Sequence, residues 1–475
     1  MPSLTSVPVS ALPYDRFADV LGPDRFAQFR EAVDRGQRLL QHRVVWNVNS
    51  TARGGGVAEM LVSLLAYARG AGINARWEVI SGNEPFFALT KRIHNNLHSA
   101  PGDGGDLGEA ERKVYEDALA TNLSEFADMV SADDVVIIHD PQPAGMIPVL
   151  KERVGCAVVW RCHVGIDQPS DLSRRAWQFL IPYVEPADAY VFSRKQFVWE
   201  GLDSEKIELI APVIDAFSPK NQELSPQQVA GILAVAGLSS DGAAAEDATF
   251  LREDGSPERV VRQAELFEGR PLDPGDPVVL QVSRWDRLKD PIGVIRGFVE
   301  QVAPHQPAHL VYAGPAVEAV SDDPEGAEVL QEALDYFEGL TPEARERVHL
   351  ACLPMDDLEE NAAMVNALQR RADVVVQKSI AEGFGLTVAE GMWKARPVVA
   401  SRIGGIQDQI VDGETGVLVD DPMDLVEYGS AVRGLLEDHD EALQIGRAAQ
   451  ARVRDEFLAV RSLMQYLGVF EKILK

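Results

Sequence analysis

Residues 372–395 read ADVVVQKSIAEGFGLTVAEGMWKA, and this stretch decides the fold class. Its β-branched start is typical of a buried parallel strand, and its second half has the apolar spacing of an α-helix. Gly383 and Gly385 therefore fall in a strand-to-helix turn, where free backbone N–H groups and the helix dipole favour an anion. Glu382 and Glu390 lie on either side of that turn. The alternative interpretation is an ordinary helix start with one glutamate that suits the dipole.

The same strand–helix unit recurs along the chain, which predicts an α/β fold with two doubly wound parallel sheets. We expect a first domain over residues 1–215 with a helical lead-in, and a second domain over 273–445. A linker with connecting helices should span 216–272, and the C-terminal helices of 446–475 should pack back towards the first domain. Predicted strands cover residues 43–50, 75–81, 133–140, 156–163, 188–193 and 206–212, then 277–283, 308–314, 347–353, 373–379, 396–401 and 415–420.

Composition excludes several classes of protein. The formal net charge of −29 disfavours nucleic acids and anionic membranes as partners, because both require basic patches. The three cysteines fit neither a disulfide framework nor a zinc site, so we expect buried, inert thiols. The N-terminus lacks the features of a signal peptide, and no apolar run approaches the length of a membrane span. These observations predict a cytoplasmic protein.

Two further stretches could bind an anion. Three glycines, Gly54 to Gly56, follow the first predicted strand, and glycine lets the backbone approach a ligand closely. Arg284 and Lys289 follow the strand at 277–283, where two cations suit a pyrophosphate. A flexible loop and a pair of solvated surface cations are the respective alternatives.

Two histidines end neighbouring predicted strands of the first domain. His139 and Asp140 follow one strand, and His163 ends the next. At either position, a structural histidine is a more common interpretation than a catalytic one. The Asp-x-Asp at Asp438–Asp440 lies at a polar helix junction, so we expect no metal site there.

Together these segments resemble the GT-B glycosyltransferases, specifically the large retaining family 4. The segments that carry the resemblance are the glycine-rich first loop, SRWDRLKD (283–290), EGFGLTVAE (382–390) and PVVASRIGGIQDQIVDGETGVLV (397–419). Within that family, VNSTARGGGVAEML (48–61), IHDPQPAGM (138–146) and VWRCHVGID (159–167) resemble the trehalose synthases. The resemblance implies a cleft between two Rossmann-like domains. It also implies glucosyl transfer with retention from a nucleotide-diphosphate glucose to free glucose, giving trehalose reversibly.

The resemblance also implies roles for individual residues. The implied catalytic group is His163, Arg284, Lys289 and Glu382. The implied donor-binding residues are Gly55, Gly56, Arg284, Lys289, Leu353, Gly383, Phe384, Gly385, Leu386, Thr387 and Glu390. Of these, Glu382 is expected on the glucose hydroxyls and Glu390 on the ribose. The implied acceptor-binding residues are Asn49, Arg53, Asp140, Gln142 and Arg161.

These compact polar groups suit one small neutral sugar better than a sugar phosphate. The resemblance implies no metal held by protein ligands and no cofactor, and a divalent cation would at most stimulate the reaction. The alternatives are a trehalose phosphorylase, another family 4 enzyme such as a sucrose- or glucan-type synthase, a GT-B epimerase, and a non-catalytic nucleotide-sugar binder. The nucleotide base and the oligomeric state stay open, with a homodimer as one alternative.

Overall fold

The computed structural model describes residues 4–52, 56–240, 242–317 and 324–475. The chain forms two compact units. The first contains residues 1–213 together with 459–475, and the second contains 214–458. Each unit is built on one seven-stranded sheet. Because most strands in both sheets are parallel, helices must cover both faces, as the strand–helix repeat predicted.

The first sheet has the order β1-β3-β2-β4-β5-β6-β7, and all its strands are parallel except β1, which pairs antiparallel with β3. Its strands are β1 (Leu4–Val7), β2 (Val45–Asn49), β3 (Ala75–Ile80), β4 (Val135–His139), β5 (Ala157–Cys162), β6 (Ala189–Phe192) and β7 (Ile207–Leu209). Its helices are α1 (Ala18–Leu21), α2 (Pro23–Leu40), α3 (Gly56–Gly70), α4 (Glu84–Leu97), α5 (Glu109–Ala127), α6 (Ile147–Val149) and α7 (Asp171–Val184).

The second unit begins with a segment that the sequence predicted to be a linker. That segment holds α8 (Pro226–Val235), a hairpin of β8 (Thr249–Leu251) and β9 (Pro257–Arg259), and β10 (Glu265–Glu268). Strand β10 pairs antiparallel with a later strand and forms one edge of the second sheet. Residues 216–272 therefore belong to the second unit and are not a linker. The expected helical lead-in likewise contains a strand, β1, which the sequence pattern missed.

The second sheet has the order β10-β13-β12-β11-β14-β15-β16. Its remaining strands are β11 (Val278–Val282), β12 (His309–Pro315), β13 (Val348–Leu353), β14 (Val374–Gln377), β15 (Val398–Ser401) and β16 (Val417–Val419). The helices of this part are α9 (Pro291–Gly297), α10 (Pro324–Glu338), α11 (Pro342–Arg345), α12 (Leu358–Arg371), α13 (Leu386–Trp393), α14 (Ile406–Gln409), α15 (Leu425–Glu437) and α16 (His439–Glu456), and α17 (Ala459–Ile473) follows in the first unit.

The chain passes from one unit to the other twice. It leaves the first unit after Val213 and re-enters it at Ala459. The outgoing and returning segments pair at Ile214 and Leu458, and the Ile214 N–H donates to the Phe457 carbonyl over 2.9 Å.

Helix α17 completes the core of the first unit. Its Val469 and Phe470 pack with buried residues of α2, β2, β4, β5, β6 and the segment after β7: Leu40, Val45, Val135, Ile137, Val159, Ala189, Val191 and Ile210. The other face of this sheet packs on α4, α5 and α7 through a cluster that includes Trp46 and Trp160. Among the described residues, no helix is long and apolar enough to cross a lipid bilayer.

Candidate functional site

Each sheet has a point where the strand order reverses, and ligands of open α/β sheets bind beyond the carboxyl ends of the strands at that point. In the second sheet the reversal lies between β11 and β14, which are paired. The predicted cations follow β11, and the segment quoted at the outset follows β14. The topology of the second unit therefore brings these two segments to one edge of the sheet.

A buried polar network joins the ends of these two strands. Gln377 Nε2 donates to Ser283 Oγ over 3.1 Å and to Ser379 Oγ over 2.9 Å. Thr387 Oγ1, in the first turn of α13, donates to Gln377 Oε1 over 2.8 Å. Gln281 Nε2 donates to the Lys289 carbonyl over 2.9 Å. Because buried polar groups that satisfy one another are held rigidly, the network fixes the loop after β11 relative to the start of α13.

Lys289 and Glu382 form the central contact of this site. Lys289 Nζ lies 2.6 Å from Glu382 Oε2, and both side chains are 14% exposed. Ser379 Oγ lies 3.4 Å from the same carboxylate oxygen. The structure thus brings together two residues that are far apart in sequence and were predicted to share one site. A charge-assisted pair with little solvent contact gives a ligand one anion-binding group and one hydroxyl-binding group side by side.

A second ion pair supports the turn that carries Lys289. Asp290 has left-handed backbone angles (φ 49°), and its Oδ1 accepts the Gly293 N–H over 3.0 Å at the start of α9. Its other oxygen contacts Lys378 Nζ, whose side chain is 1% exposed. Since removing one partner of a buried pair is costly, this contact locks the loop after β11 to the loop after β14. Sequence reasoning named neither residue.

Arg284 differs from Lys289 in its exposure to solvent, although the sequence predicted the same role for both. Its side chain is 63% exposed, and its Nη2 lies 3.3 Å from Asp286 Oδ2. It is a solvated cation on the same turn as Lys289. In this structure Lys289, rather than Arg284, is the desolvated cation of the loop.

Hydrogen bonds from the segment after β15, which contains a second glycine turn, hold the glycine turn before α13. Gly385 has φ 81°, a conformation that glycine adopts without cost. Gln409 Nε2 donates to the carbonyls of Phe384 and Gly385 over 2.5 and 3.2 Å, and the Gly405 N–H donates to the Gly383 carbonyl over 2.9 Å. The carbonyl oxygens of the turn therefore accept hydrogen bonds from other parts of the protein.

The opposite side of that turn presents N–H groups. The first N–H groups of a helix have no intrahelical acceptor, and α13 begins at Leu386. The predicted anion-binding residues Phe384 to Thr387 thus occupy the start of the helix, with Gly385 as the N-cap. This arrangement is suited to an anionic group.

Glu390 does not join Lys289 and Glu382. It is 2% exposed, its Oε1 lies 3.7 Å from Lys220 Nζ, and Gln369 Nε2 lies 3.5 Å from its Oε2. One turn later, Lys394 Nζ donates to Asn221 Oδ1 over 2.9 Å. In this structure Glu390 belongs to a buried polar cluster that ties α13 to residues 220 and 221, and its expected contact with the ribose stays a prediction.

Leu353, expected near the nucleotide, ends β13 and is buried at 1% exposure. Its carbonyl accepts the Ala316 N–H over 2.8 Å. Leu353 therefore lies at the carboxyl end of β13, which is separated from β11 by one strand of the sheet. Among the described residues, no group of three or more His, Cys, Asp or Glu side chains is arranged to hold a metal ion.

The first sheet reverses its strand order between β2 and β4, and Asp140 follows β4 at that point. Asp140 has φ 64°, and its Oδ1 accepts the His163 N–H over 2.8 Å. Its carbonyl accepts Trp160 Nε1–H over 3.2 Å. Burial raises the pKa of Asp140 to about 7, against the opposing effects of the His163 N–H and of Arg161. Asp140, a predicted acceptor-binding residue, and His163, a predicted catalytic residue, are thus adjacent.

Other predicted acceptor residues have structural roles. Asn49 is 4% exposed, accepts Trp77 Nε1–H over 2.8 Å and donates to the Thr51 carbonyl over 2.7 Å. Arg161 is 1% exposed, and its Nη2 lies 3.3 Å from Ser193 Oγ. Both side chains lie beneath the strand ends rather than on the loops.

Gln142 is partly exposed in the loop after Asp140, which Tyr115 fixes by a hydrogen bond of 2.5 Å to the Pro141 carbonyl. Gly56 begins α3. Arg53 and Gly55 lie outside the described residues.

The three cysteines are free and buried, as expected, and burial raises the pKa of Cys156 to about 11 and that of Cys352 to about 12.

Sequence reasoning missed the residues that support the site rather than line it. Gln281 and Gln377 are polar residues in otherwise apolar strands. This departure from the apolar pattern could have identified them from the sequence. Gly404 has φ 45°, and a β-carbon there would lie 1.7 Å from the Glu382 carbonyl. The adjacent glycines 404 and 405 were part of the quoted resemblance but received no role.

Comparison with known proteins agrees with the fold. Residues 47–199 match the family model "Trehalose synthase, N-terminal domain", and residues 262–452 match "Glycosyl transferases group 1". A trehalose synthase of Thermococcus litoralis is 36% identical over 442 residues, which cover 92% of this chain and 93% of the relative. A trehalose phosphorylase of Pleurotus pulmonarius is 26% identical, and the match covers 94% of this chain but 60% of that protein.

The solved structures that resemble this one share its fold. A UDP-forming α,α-trehalose-phosphate synthase from Burkholderia xenovorans superposes with a TM-score of 0.67 at 15% identity, covering 91% of this chain and 99% of that one. At such low identity the likeness establishes the fold alone. The identity to the Thermococcus synthase extends over nearly the whole of both chains, so this chain belongs to the trehalose synthase family of GT-B glycosyltransferases.

Proposed function

We propose that this protein transfers glucose, with retention, from a nucleotide-diphosphate glucose to free glucose and forms the α,α-1,1-linked disaccharide trehalose reversibly. The observation that carries the proposal is the Lys289–Glu382 pair beside the N-terminus of α13. A cation, free helix N–H groups and a carboxylate at one strand edge match the diphosphate and sugar hydroxyls of such a donor. The relatives named trehalose synthase support the product.

In this proposal the second unit binds the donor. Lys289 and the N–H groups at the start of α13 neutralise the diphosphate, and Glu382 accepts hydrogen bonds from the glucose hydroxyls. The polar network behind them holds these groups in place before the substrate arrives. Preorganised charges and dipoles need no rearrangement as the leaving group gains charge, which is where most of the rate enhancement should arise.

The chemistry that follows requires no committed protein nucleophile. The bond between the anomeric carbon and the diphosphate oxygen breaks, and the diphosphate leaves with the electron pair. The anomeric carbon becomes oxocarbenium-like, and the hydroxyl of the acceptor attacks on the face that the diphosphate leaves. The proton of that hydroxyl passes to the departing diphosphate. This differs from the two-carboxylate scheme of glycoside hydrolases.

The acceptor is assigned to the first unit, and a neutral sugar fits its polar groups best. Asp140, Gln142 and His163 follow the strand ends and offer compact hydrogen-bonding groups. Because Arg161 is buried, it does not present a surface cation to an acceptor phosphate. We therefore favour free glucose over glucose 6-phosphate.

A trehalose phosphorylase is the second candidate, because one of the relatives has that name. It would release glucose 1-phosphate from trehalose and inorganic phosphate. The match spans only part of the phosphorylase, whereas the synthase match spans nearly all of both chains. That difference in coverage favours the synthase.

An activity grid with product identification tests the proposal. Uridine, adenosine and guanosine diphosphate glucose are each combined with glucose, glucose 6-phosphate, fructose and maltooligosaccharides, and the products are identified by NMR. We expect trehalose from glucose, and regeneration of the donor from trehalose and the nucleoside diphosphate. Exclusive use of glucose 6-phosphate, or glucose 1-phosphate formation from trehalose and phosphate, would overturn the proposal. Glu382→Gln in the same assay should lower kcat, since this carboxylate positions the reacting sugar.

A further inference from the structure

Three side chains form a continuous hydrogen-bonded line at the carboxyl edge of the first sheet. His139 Nε2 lies 3.0 Å from Asn47 Oδ1, and His139 Nδ1 lies 3.2 Å from His163 Nε2. The two imidazole rings are nearly parallel, with 14° between their planes and 5.5 Å between their centroids. Asn47 and His139 are 2% and 1% exposed, whereas His163 is partly exposed. His163 is therefore the most exposed member of the line.

The orientation of the Asn47 amide sets the direction of the line. Its Nδ2 donates to the Arg76 carbonyl over 3.5 Å. Turning the amide over would place Oδ1 against that carbonyl oxygen, and two acceptors repel each other. Asn47 therefore presents Oδ1 to His139 and accepts a hydrogen bond from His139 Nε2–H.

The proton positions on the two rings follow from this orientation. Burial, and after it the Arg161 charge, lower the pKa of His139 to about 3, so the ring is neutral. A neutral imidazole has one N–H and one acceptor nitrogen. Since His139 Nε2 holds the proton, His139 Nδ1 is the acceptor and takes the hydrogen bond from His163 Nε2–H.

His163 is neutral for the same reasons. Burial, and then the Arg161 charge, lower the pKa of His163 well below its ordinary value. With its proton on Nε2, His163 keeps an unprotonated Nδ1. The His163 N–H, held by Asp140 over 2.8 Å, fixes the backbone from which the ring projects.

We propose that Asn47 and His139 are positioning residues that hold His163 as the Nε2–H tautomer, so that its Nδ1 is an acceptor for a hydroxyl of the bound hexose. The identity of that hexose rests on the proposed function, whereas the tautomer does not. The ring nitrogen that is protonated in a histidine is set by the hydrogen bond that the other nitrogen makes. With the opposite tautomer, His163 would present an N–H, which donates to a hydroxyl oxygen and cannot accept the hydroxyl proton.

Two variants of His139 separate orientation from packing. In His139→Gln, the side-chain amide can still donate to Asn47 and accept from His163. In His139→Leu, a side chain of similar bulk can do neither. His94→Leu is the matched control, because it removes an imidazole from α4 of the same unit, outside the line.

The first readout is the tautomer of His163 in the ligand-free protein, measured by NMR on protein with ¹⁵N-labelled histidine. The His163 signal is assigned from its loss in His163→Phe. We expect a protonated Nε2 and an unprotonated Nδ1 in the wild type and in His139→Gln, and a mixture in His139→Leu. A wild-type His163 with its proton on Nδ1 overturns the proposal, whatever product the enzyme makes.

The second readout is kinetic. We expect His139→Leu to lower kcat by about 10- to 100-fold, the scale of losing the partner that orients a functional histidine, with little change in the KM for the nucleotide sugar. His139→Gln should recover most of that loss, and His94→Leu should retain wild-type kcat. Equal losses in the Gln and Leu variants, or wild-type turnover in the Leu variant, would contradict the positioning role. The NMR measurement on the wild-type protein requires neither a substrate nor the His139→Leu variant. It therefore tests the proposal even if His139→Leu does not fold.

Discussion

Lys289 is the residue on which the proposed donor site depends most directly. It is largely desolvated and paired with Glu382, while Arg287 on the same turn is exposed and pairs with surface glutamates. We expect Lys289→Ala to reduce kcat/KM by about 30- to 1,000-fold, or roughly 2–4 kcal/mol, because an electrostatic contact to the leaving diphosphate is lost. Steady-state kinetics with the preferred nucleotide sugar measures the effect.

Arg287→Ala is the control for that experiment, since exposed ion pairs contribute little. It should stay within a few-fold of wild type. If the two alanine variants had similar activity, Lys289 would be another surface cation and the assignment of this loop would fail.

Lys394 makes the stability of the second unit depend on pH. Burial lowers the pKa of Lys394 to about 7, although Glu390 opposes the shift, while an unfolded chain would restore the ordinary value of about 10.4. Between these two values the unfolded state binds more protons than the folded state, so stability rises with pH across this window. The stability linked to Lys394 is fully present above the pKa of the unfolded chain. It is lost as the pH falls through about 7.

We therefore expect Lys394→Met to flatten the pH dependence of the melting temperature between pH 7 and 10. Melting curves of both proteins are recorded across that range. The difference between their melting temperatures at each pH removes the effect of other titrating groups. Lys472→Met, at an exposed ion pair on α17, should leave the slope unchanged. A slope that Lys394→Met does not alter would mean that this lysine is solvated in the folded protein.

At the scale of elements, the turn before α13 depends on the glycine turn that faces it. A β-carbon on Gly404 would lie 1.7 Å from the Glu382 carbonyl, and the residue also has φ 45°. Since the obstacle is backbone, Gly404→Ala must displace the turn. We expect a loss of at least about tenfold in kcat/KM, because even a small misplacement of a catalytic group is costly.

Gly413 offers a matched control on the way to β16. It has φ 74°, and a β-carbon there would meet no heavy atom within 4 Å. Gly413→Ala should therefore cost only its backbone strain, about 1–2 kcal/mol of stability, and leave kcat/KM unchanged. Equal activity losses in both variants would show that backbone strain, not contact with Glu382, governs the effect.

The elements that the sequence predicted are those with a strong local pattern. Strands β11 and β14 are valine-rich apolar runs with one glutamine each, so their position and the glycine turn after β14 could be predicted from the sequence. Strands β1 and β10 could not, because each mixes polar and apolar residues and pairs with an antiparallel partner far along the chain. Short edge strands carry little periodicity of their own.

The same limit applies to the candidate site. Lys289 and Glu382 are close because two strands pair, and strand ends at a reversal of strand order are predictable. The direction of Glu390 was not predictable, because it depends on contacts of α13 with Lys220 and Gln369. Nothing in the local spacing of two glutamates indicates which side of the helix a distant segment will cover.

At the scale of the whole molecule, α17 is the helix that joins the last residues of the chain to the first unit. Phe470 is 6% exposed and packs with residues of β2, β4, β5 and β6. We expect Phe470→Ala to destabilise the first unit by about 3–5 kcal/mol, through lost burial and the space left behind. Urea denaturation followed by tryptophan fluorescence measures this, since five of the seven tryptophans lie in that unit.

Gly468→Ala on the same helix is the control. Gly468 is exposed, and a β-carbon there would meet nothing within 4 Å. Alanine should stabilise the helix by up to about 1 kcal/mol. If Phe470→Ala left the tryptophan transition in place, α17 would be dispensable for the first unit.

The return of the chain to the first unit at Ala459 has a consequence for biosynthesis. A ribosome makes α17 only after the second unit, so the sheet of the first unit lacks its covering helix while the entire second unit is translated. At about 5–20 residues per second, this wait lasts tens of seconds. The N-terminal half, usually the first to fold in a nascent chain, should here be the last to become resistant to protease. Pulse proteolysis of nascent chains arrested before Ala459 should find the second unit protected and the first still cleavable.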